Sequence, residues 1–508
     1  MSSRGTRPQR WPLHRGFGII GRFDQAADRM TRPTFLWHDY ETTGADPRRD
    51  RPCQFAAQRT TDELEPVGEP IELFCAPAPD VLPHPQAALI TGITPQQLQR
   101  DGINEAGFAA RVHEEMAAPG TCTVGYNSLR FDDEFTRHLL YRNFYEPYAR
   151  EWENGNSRWD LIDLVRMTYA LRPQGVEWPR REDGTPSFRL EDLARANRLQ
   201  QERAHDALSD VHALIGLARL LRARQPRLFD FYFALRRKQR AFELLDVARR
   251  TPVLHVSSRF PASRGCLALV APLAVHATQP NAVIVYDLDA DPTPLLELDA
   301  DAIAERVFSA RADLPEDVQR IPLKLVHANR SPALAPLSVL AGVDLARIGL
   351  DVERGLTHLR RLDGAAGLAA KLQRVFARAE EAALPDPELA LYSGFLNDAD
   401  RRLLREVRAT PPERLGQQAF AFRDARLPEL LWRYRARNWP ELLNAEETTR
   451  WQAFCRERLE RKTELTGLTF DEYFAMIDTL RQDPAQATSG ALLDALQAYG
   501  LERRRELA

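Results

Sequence analysis

Three short stretches of this sequence hold acids, and in one case a histidine, at spacings suited to binding a hard cation or moving a proton. The first is Asp39-Tyr40-Glu41, following the apolar Phe35-Leu36-Trp37 with only His38 between. On a strand, residues two apart project to the same side, so Asp39 and Glu41 stand together at a strand end. Like-charged carboxylates ~4–6 Å apart raise each other's pKa unless a positive charge intervenes, and Mg²⁺ prefers such oxygen ligands. The second stretch is Gly125-Tyr126-Asn127 followed by Phe131-Asp132-Asp133-Glu134, where a strand runs into a turn and an acid opens the next helix. The third is Ala204-His205-Asp206-Ala207-Leu208-Ser209-Asp210. His205 and Asp210 lie about 500° apart around a regular helix and do not share a face. This places His205 on the entering loop, Asp206 at the cap and Asp210 on the first turns. Taken alone, each stretch has a plain alternative: solvated carboxylates, an N-cap for Asp132, and a solvated loop histidine.

The elements that must position these groups alternate between strand and helix from Thr34 to about Leu221. Strands are expected over Thr34–His38, Gln54–Thr60, Glu72–Cys75 and Thr121–Tyr126. Helices are expected over Glu105–Met116, Asp132–Tyr145, Asp160–Leu171, Leu190–Asn197 and Asp206–Leu221. In the last of these, Val211, Leu214, Ile215, Ala218 and Leu221 follow the 3.6-residue period. Mixed strands and helices predict an α/β layered unit. After Gln225-Pro226 the pattern changes to β-rich segments, Val253–Ser257, Cys266–Val275, Ala282–Asp287 and Ile321–His327, read as a small barrel or sheet. From about Leu384 the sequence reads helical, with joints near Pro411, Pro440 and Pro484.

Composition narrows the function. The 508 residues suggest roughly three domains, and 44% hydrophobic content is enough for real cores. No apolar run approaches the ~18–20 residues of a membrane span. Five scattered cysteines with no CxxC pair argue against structural zinc and a disulfide framework, and point to a reducing cytoplasm. Charge is balanced, 69 Lys and Arg against 72 Asp and Glu, so a nucleic-acid partner has to be held by local basic patches. One such patch runs from Arg227 to Arg259, with eight basic residues against three acids. Residues 1–32 carry seven Arg and two Asp and read as a basic, poorly ordered extension without the apolar core of a signal peptide.

The order of the three motifs carries more than any one of them. An acidic pair on a first strand, an acid opening a middle helix and a His-x4-Asp on a late helix resemble the DEDD exonuclease superfamily, in the subclass whose variable residue is His. Further segments, among them Arg51–Ala57, Leu89–Pro95, Ser157–Asp163, Ser187–Leu190, Arg224–Asp230 and Tyr434–Asn438, resemble the bacterial exodeoxyribonuclease I family. The resemblance implies an RNase H-like DEDDh exonuclease domain (33–225), an SH3-like β-barrel domain (226–383) and an all-α C-terminal domain (384–508), after the extension (1–32).

It also implies an activity: 3′→5′ hydrolysis of single-stranded DNA to deoxynucleoside 5′-monophosphates, serving DNA repair and recombination. Asp39, Glu41, Asp132 and Asp210 would hold two Mg²⁺ ions, with Mn²⁺ as a substitute, and His205 would accept the proton of the attacking water. Asp132 is preferred over Asp133 because the family motif sets its acid directly after the aromatic residue. Arg189, Arg137, Tyr148, Trp152 and Arg166, together with Glu41, are the implied contacts to DNA, through phosphates and stacked bases. Arg172 and Phe231, the latter in place of a family Tyr, are the implied contacts to the acidic, Phe-ended tail of single-stranded DNA-binding protein. A monomer is expected. Two alternatives stay open: a related 3′→5′ exoribonuclease or proofreading exonuclease, and a non-catalytic single-strand-binding module.

Overall fold

The computed structural model describes residues 34–199, 206–377 and 385–508. The basic extension at residues 1–32 and His205 lie outside the described residues. The first unit is built on a five-stranded sheet. Its strands are β1 (Thr34–Thr42), β2 (Pro52–Thr60), β3 (Pro66–Phe74), β4 (Thr121–Gly125) and β5 (Ser157–Asp160), in the order β3-β2-β1-β4-β5. β1 is central, antiparallel to β2 and parallel to β4.

Alternation along β1 explains why it sits there. Phe35 and Trp37 enter a core shared with Val211, Leu214 and Ala218 of helix Ala207–Arg224, whereas Leu36 and Tyr40 enter another, with Phe108 and Val112 of Glu105–Ala117. A strand buried on both faces is held firmly in register. Trp37 is also tied to β2 through Nε1 donating to Thr60 Oγ1 at 2.9 Å. In chain order the helices flanking the sheet are α1 (Glu105–Ala117), α2 (Asp132–Arg142), α3 (Leu161–Leu171) and α4 (Ala207–Arg224). The sequence had placed Asp160 at the start of a helix and read no strand before it. Asp160 does cap the helix Leu161–Leu171, but it also ends Ser157–Asp160, a four-residue strand parallel to β4 and too short to show a period.

A connecting helix, α5 (Pro226–Ala234), leads to a second five-stranded sheet, fully antiparallel. It consists of β6 (Val253–Val256), β7 (Leu267–Val275), β8 (Ala282–Asp287), β9 (Leu323–His327) and β10 (Ala333–Pro336), ordered β10-β6-β7-β8-β9. The sequence reading lacked β10, whose closing proline suits a sheet edge. It also lacked helices α6 (Ala300–Phe308), α7 (Val352–Asp363) and α8 (Leu368–Val375), whose apolar residues Ile303, Leu362 and Leu372 join the core of this unit.

The remainder is helical: α9 (Asp398–Ala409), α10 (Arg426–Asn438), α11 (Ala445–Glu460), α12 (Phe470–Gln482) and α13 (Gly490–Glu506). It meets the first unit through buried ion pairs. Arg437 of α10 reaches Asp80 at 2.8 Å and Glu388 at 2.7 Å, Arg458 of α11 reaches Asp80 at 2.7 Å, and Arg51 reaches Glu388 at 3.1 Å. All five cysteines are buried, and none is paired in a disulfide. No helix among the described residues is long and apolar enough to cross a membrane.

Candidate active site

β1 delivers the first two acids. Its two-residue repeat aims Asp39 and Glu41 to one side, at the end of a strand locked on both faces. Across from them, α4 presents Asp210 on its first turn. Oxygen atoms of Asp39, Glu41 and Asp210 all lie within 4.8 Å of one another. Asp132, first residue of α2, joins from the side: its Oδ1 accepts from the Tyr40 N–H at 3.2 Å, between the two β1 acids. The capping alternative for Asp132 therefore falls, since its side chain faces β1 and the cap position belongs to Phe131 without a side-chain bond.

Electrostatics show what such a group of acids requires. Burial, then the charges of Asp132, Glu41 and Asp210, push the Asp39 carboxyl well above the usual carboxylate range. Burial, then Asp210 and Asp132, push Glu41 up to about 8. Asp132 is pushed up to about 7, mainly by burial and, among nearby charges, by Asp133. Four acids so placed resist full ionisation without a positive charge among them. An all-oxygen donor set of this kind fits a hard divalent cation.

Asp133 is a different case. Its carboxylate is buried and paired with Arg150 at 2.6 Å and Arg158 at 2.7 Å, which hold it well below the usual range against burial. Asp206 occupies the cap position of α4 as expected, yet makes no side-chain capping bond. Its Oδ1 instead meets Gln54 Nε2 of β2 at 3.5 Å, and the same amide nitrogen donates to Glu72 at 2.8 Å.

Matches to known proteins follow the same division of the chain. A model described as Exonuclease matches residues 36–218, Exonuclease I SH3-like domain matches 236–378, and Exonuclease I C-terminal domain matches 385–503. Exodeoxyribonuclease I of Escherichia coli (strain K12) is 45% identical over 94% of this chain and 99% of its own length. The chain belongs to the exodeoxyribonuclease I family.

Solved members of the family superpose closely. A moderately thermophilic Exonuclease I from Methylocaldum szegediense gives a TM-score of 0.89 at 51% identity, over 93% of this chain and 99% of that one. E. coli Exonuclease I in complex with a dA16 oligonucleotide gives 0.87 at 45% identity, over 93% and 100%. Similar structures include a zinc-bound E. coli ExoI–single-stranded DNA complex and an ExoI/SSB-Ct complex. The fold is thus an exonuclease domain, an SH3-like domain and a helical C-terminal domain.

Of the residues expected to touch DNA, the structure leaves some open and commits others. Trp152 is 66% exposed. Arg189 is exposed, with Glu191 at 3.3 Å as a salt-bridge partner. Tyr148 is half-buried, and its ring lies 5.9 Å from Phe395 and 6.4 Å from Tyr392 of the C-terminal unit. Arg137 is buried, bonded to Glu151 at 2.8 Å and Glu134 at 2.7 Å, with its guanidinium 5.3 Å from the Tyr148 ring. It is placed to support that ring rather than to stand in the open. Arg166 is likewise buried and paired with Asp163 at 2.8 Å. Arg172 spends Nη1 on the Leu171 carbonyl at 2.6 Å and Nη2 on the Val339 carbonyl at 2.9 Å, and Phe231 packs half-buried against the core.

Sequence reasoning missed Tyr392 and Phe395, because their neighbour Tyr148 is more than 240 positions away. Phe395 is 79% exposed, a large apolar ring left in solvent beside Tyr148. It missed Arg150 and Arg158 for the same reason of distance. The signal available for those two was only that Asp133, next to a candidate ligand, needed a partner.

Proposed function

We propose that this chain is a 3′→5′ exonuclease that degrades single-stranded DNA to deoxynucleoside 5′-monophosphates, using Mg²⁺ with Mn²⁺ as a substitute. The observation that carries the reading is the convergence of Asp39, Glu41 and Asp210 from β1 and α4, with Asp132 beside them. These four acids are the residues that would hold two divalent cations. When bound, such cations supply Lewis-acid stabilisation of the negative charge that builds on the phosphate during hydrolysis.

The rest falls to the chain's own side chains. Packing on both faces of β1 keeps Asp39 and Glu41 from drifting apart under their repulsion. His205, five residues before Asp210, takes the proton of the attacking water on an imidazole nitrogen, a role suited to a group that ordinarily titrates near neutrality. Arg189 meets a backbone phosphate, and Glu41 also faces the terminal nucleotide. Trp152 and Tyr148 stack on bases, Tyr148 being held by Arg137 beside its ring, while Arg166, paired with Asp163, adds positive charge along the strand.

The nuclease unit spans 33–225, the SH3-like unit 226–383 and the helical unit 384–508. The protein works as a cytoplasmic monomer in DNA repair and recombination. Binding of an oligonucleotide by the E. coli relative and the ExoI/SSB-Ct complex support single-stranded DNA and the acidic tail of single-stranded DNA-binding protein as partners. Arg172 and Phe231 contribute to the tail's docking surface.

One experiment tests this. Single strands labelled at the 5′ end, incubated with Mg²⁺, are expected to shorten progressively from the 3′ end and to release mononucleotides. Equal digestion of RNA, or shortening from the other end, contradicts the proposal.

A further inference from the structure

Asp160 ends β5 in register with Gly125 of β4, fully shielded from solvent. Three backbone N–H groups converge on its carboxylate. Oδ1 accepts from Ile162 at 3.1 Å, which caps α3, and from Asn127 at 2.8 Å, while Oδ2 accepts from Leu129 at 3.2 Å. The last two donors belong to the turn that joins β4 to α2. That turn is conformationally demanding, because Asn127 has a φ of 65°, a left-handed conformation that few residues other than glycine adopt. It runs directly into Asp132: the Ser128 carbonyl accepts from the Phe131 N–H at 3.2 Å and the Asp133 N–H at 2.9 Å.

The main chain of Asp160 is tied in the other direction. Its carbonyl shares the buried Tyr232 hydroxyl of α5, at 3.3 Å, with the carbonyl of Ser331, at 3.1 Å. Ser331 lies two residues before β10 and sends its own hydroxyl back to the Arg158 carbonyl at 3.0 Å. A chain of hydrogen bonds therefore runs from the SH3-like unit through Tyr232 and Asp160 to the turn that presents Asp132. Burial, then the charge of Asp163, raises the Asp160 carboxyl to about 7, and the charge of Arg130 and the Ile162 and Asn127 N–H groups work against that rise.

We propose that Asp160 is a positioning residue for Asp132, fixing the β4–α2 turn and coupling it through Tyr232 to the SH3-like unit. This rests on the reading of Asp132 as a metal ligand. Outer-shell partners that orient a metal ligand change metal affinity by ~10–100-fold when removed. In Asp160→Asn, an amide NH₂ replaces one carboxylate oxygen and confronts a backbone N–H, so the turn loses one anchor without a change of shape.

The test is titration of the full chain with Mn²⁺ alone, followed by calorimetry, without DNA. Asp160→Asn is expected to weaken Mn²⁺ binding ~10-fold and Tyr232→Phe ~3-fold, while both retain parental affinity for single-stranded DNA in EDTA. Asp132→Asn runs in parallel. If it binds Mn²⁺ as tightly as the parent, the ligand reading fails and this proposal with it. If Asp132→Asn loses affinity while folded Asp160→Asn keeps it, the positioning role alone is overturned. Should Asp160→Asn not fold, unchanged Mn²⁺ affinity in Tyr232→Phe overturns the proposal in the same way.

Discussion

Asp132 and Asp133 are adjacent, both buried, and opposite in character. Burial, and after it the charges of Asp133 and Asp160, raise the Asp132 carboxyl, whereas Asp133, equally buried, is enclosed by Arg150 and Arg158 and is held low. Substitution separates them. Asp132→Ala is expected to lower the Mg²⁺-dependent rate by ~10³-fold or more, about 4 kcal/mol of lost transition-state stabilisation, with little loss of Tm. Asp133→Ala strands two buried guanidinium groups and is expected to cost about 3–5 kcal/mol of stability. Rates under Mg²⁺ and melting curves on both variants check this, and a reversal would move the ligand to Asp133. The sequence motif made the preference for Asp132 legible through the aromatic residue before it. What Asp133 does was not legible, because Arg150 and Arg158 come from 17 and 25 positions away on separate elements. For Arg137, expected from the sequence to contact DNA, what was not legible is that Glu151 and Glu134 enclose its guanidinium.

At the scale of elements, β1 carries the repelling pair and α4 closes on it. The cost of that arrangement depends on pH in the metal-free protein. Glu41 has a folded value of about 8 against an ordinary 4.5. A group raised in this way contributes stability that is fully present below its unfolded pKa and lost as pH rises through the folded one. The metal-free protein is therefore expected to melt at a higher temperature at pH 6 than at pH 8.5. Added Mg²⁺ should flatten the difference by neutralising the cluster, and melting curves at several pH values with EDTA or Mg²⁺ read it directly.

The aromatic elements give a second expectation. Trp152→Ala is expected to weaken single-stranded DNA binding by about 1–3 kcal/mol, the range for one stacked base, without changing stability. Fluorescence anisotropy of a labelled oligonucleotide measures it. Long elements with clear periods, β2, α1 and α4, were legible in the sequence. β5 and β10 were not, since four residues hold no period and both depend on neighbours for their hydrogen bonds.

At the scale of the whole molecule, the helical C-terminal unit is fastened to the nuclease unit by charges buried out of reach of salt. Glu388, enclosed by Arg437, Arg51, Arg458 and Arg433, is held well below the ordinary range. A carboxylate depressed in this way contributes stability present above its unfolded pKa and lost as pH falls through the folded one. Glu388→Ala leaves those arginines uncompensated and is expected to cost about 3–5 kcal/mol. Because the group is buried, raising salt to ~0.5 M should change the parental Tm little, while DNA binding weakens steeply over the same range. The order of three units was legible from the change in pattern after Gln225-Pro226 and again near Leu384. Their fastening was not, because its partners lie hundreds of positions apart: Arg437 meets Asp80 across 357 residues.

The central claim is that acids from β1, α2 and α4 meet to hold divalent cations for cutting DNA. Crystals soaked in Mn²⁺ test it most directly through anomalous scattering. The structure predicts a peak among Asp39, Glu41 and Asp210, with occupancy lost in Asp39→Asn/Asp210→Asn crystals. A map with no peak among these acids, from crystals of a protein that still cleaves single strands with Mn²⁺, would contradict it.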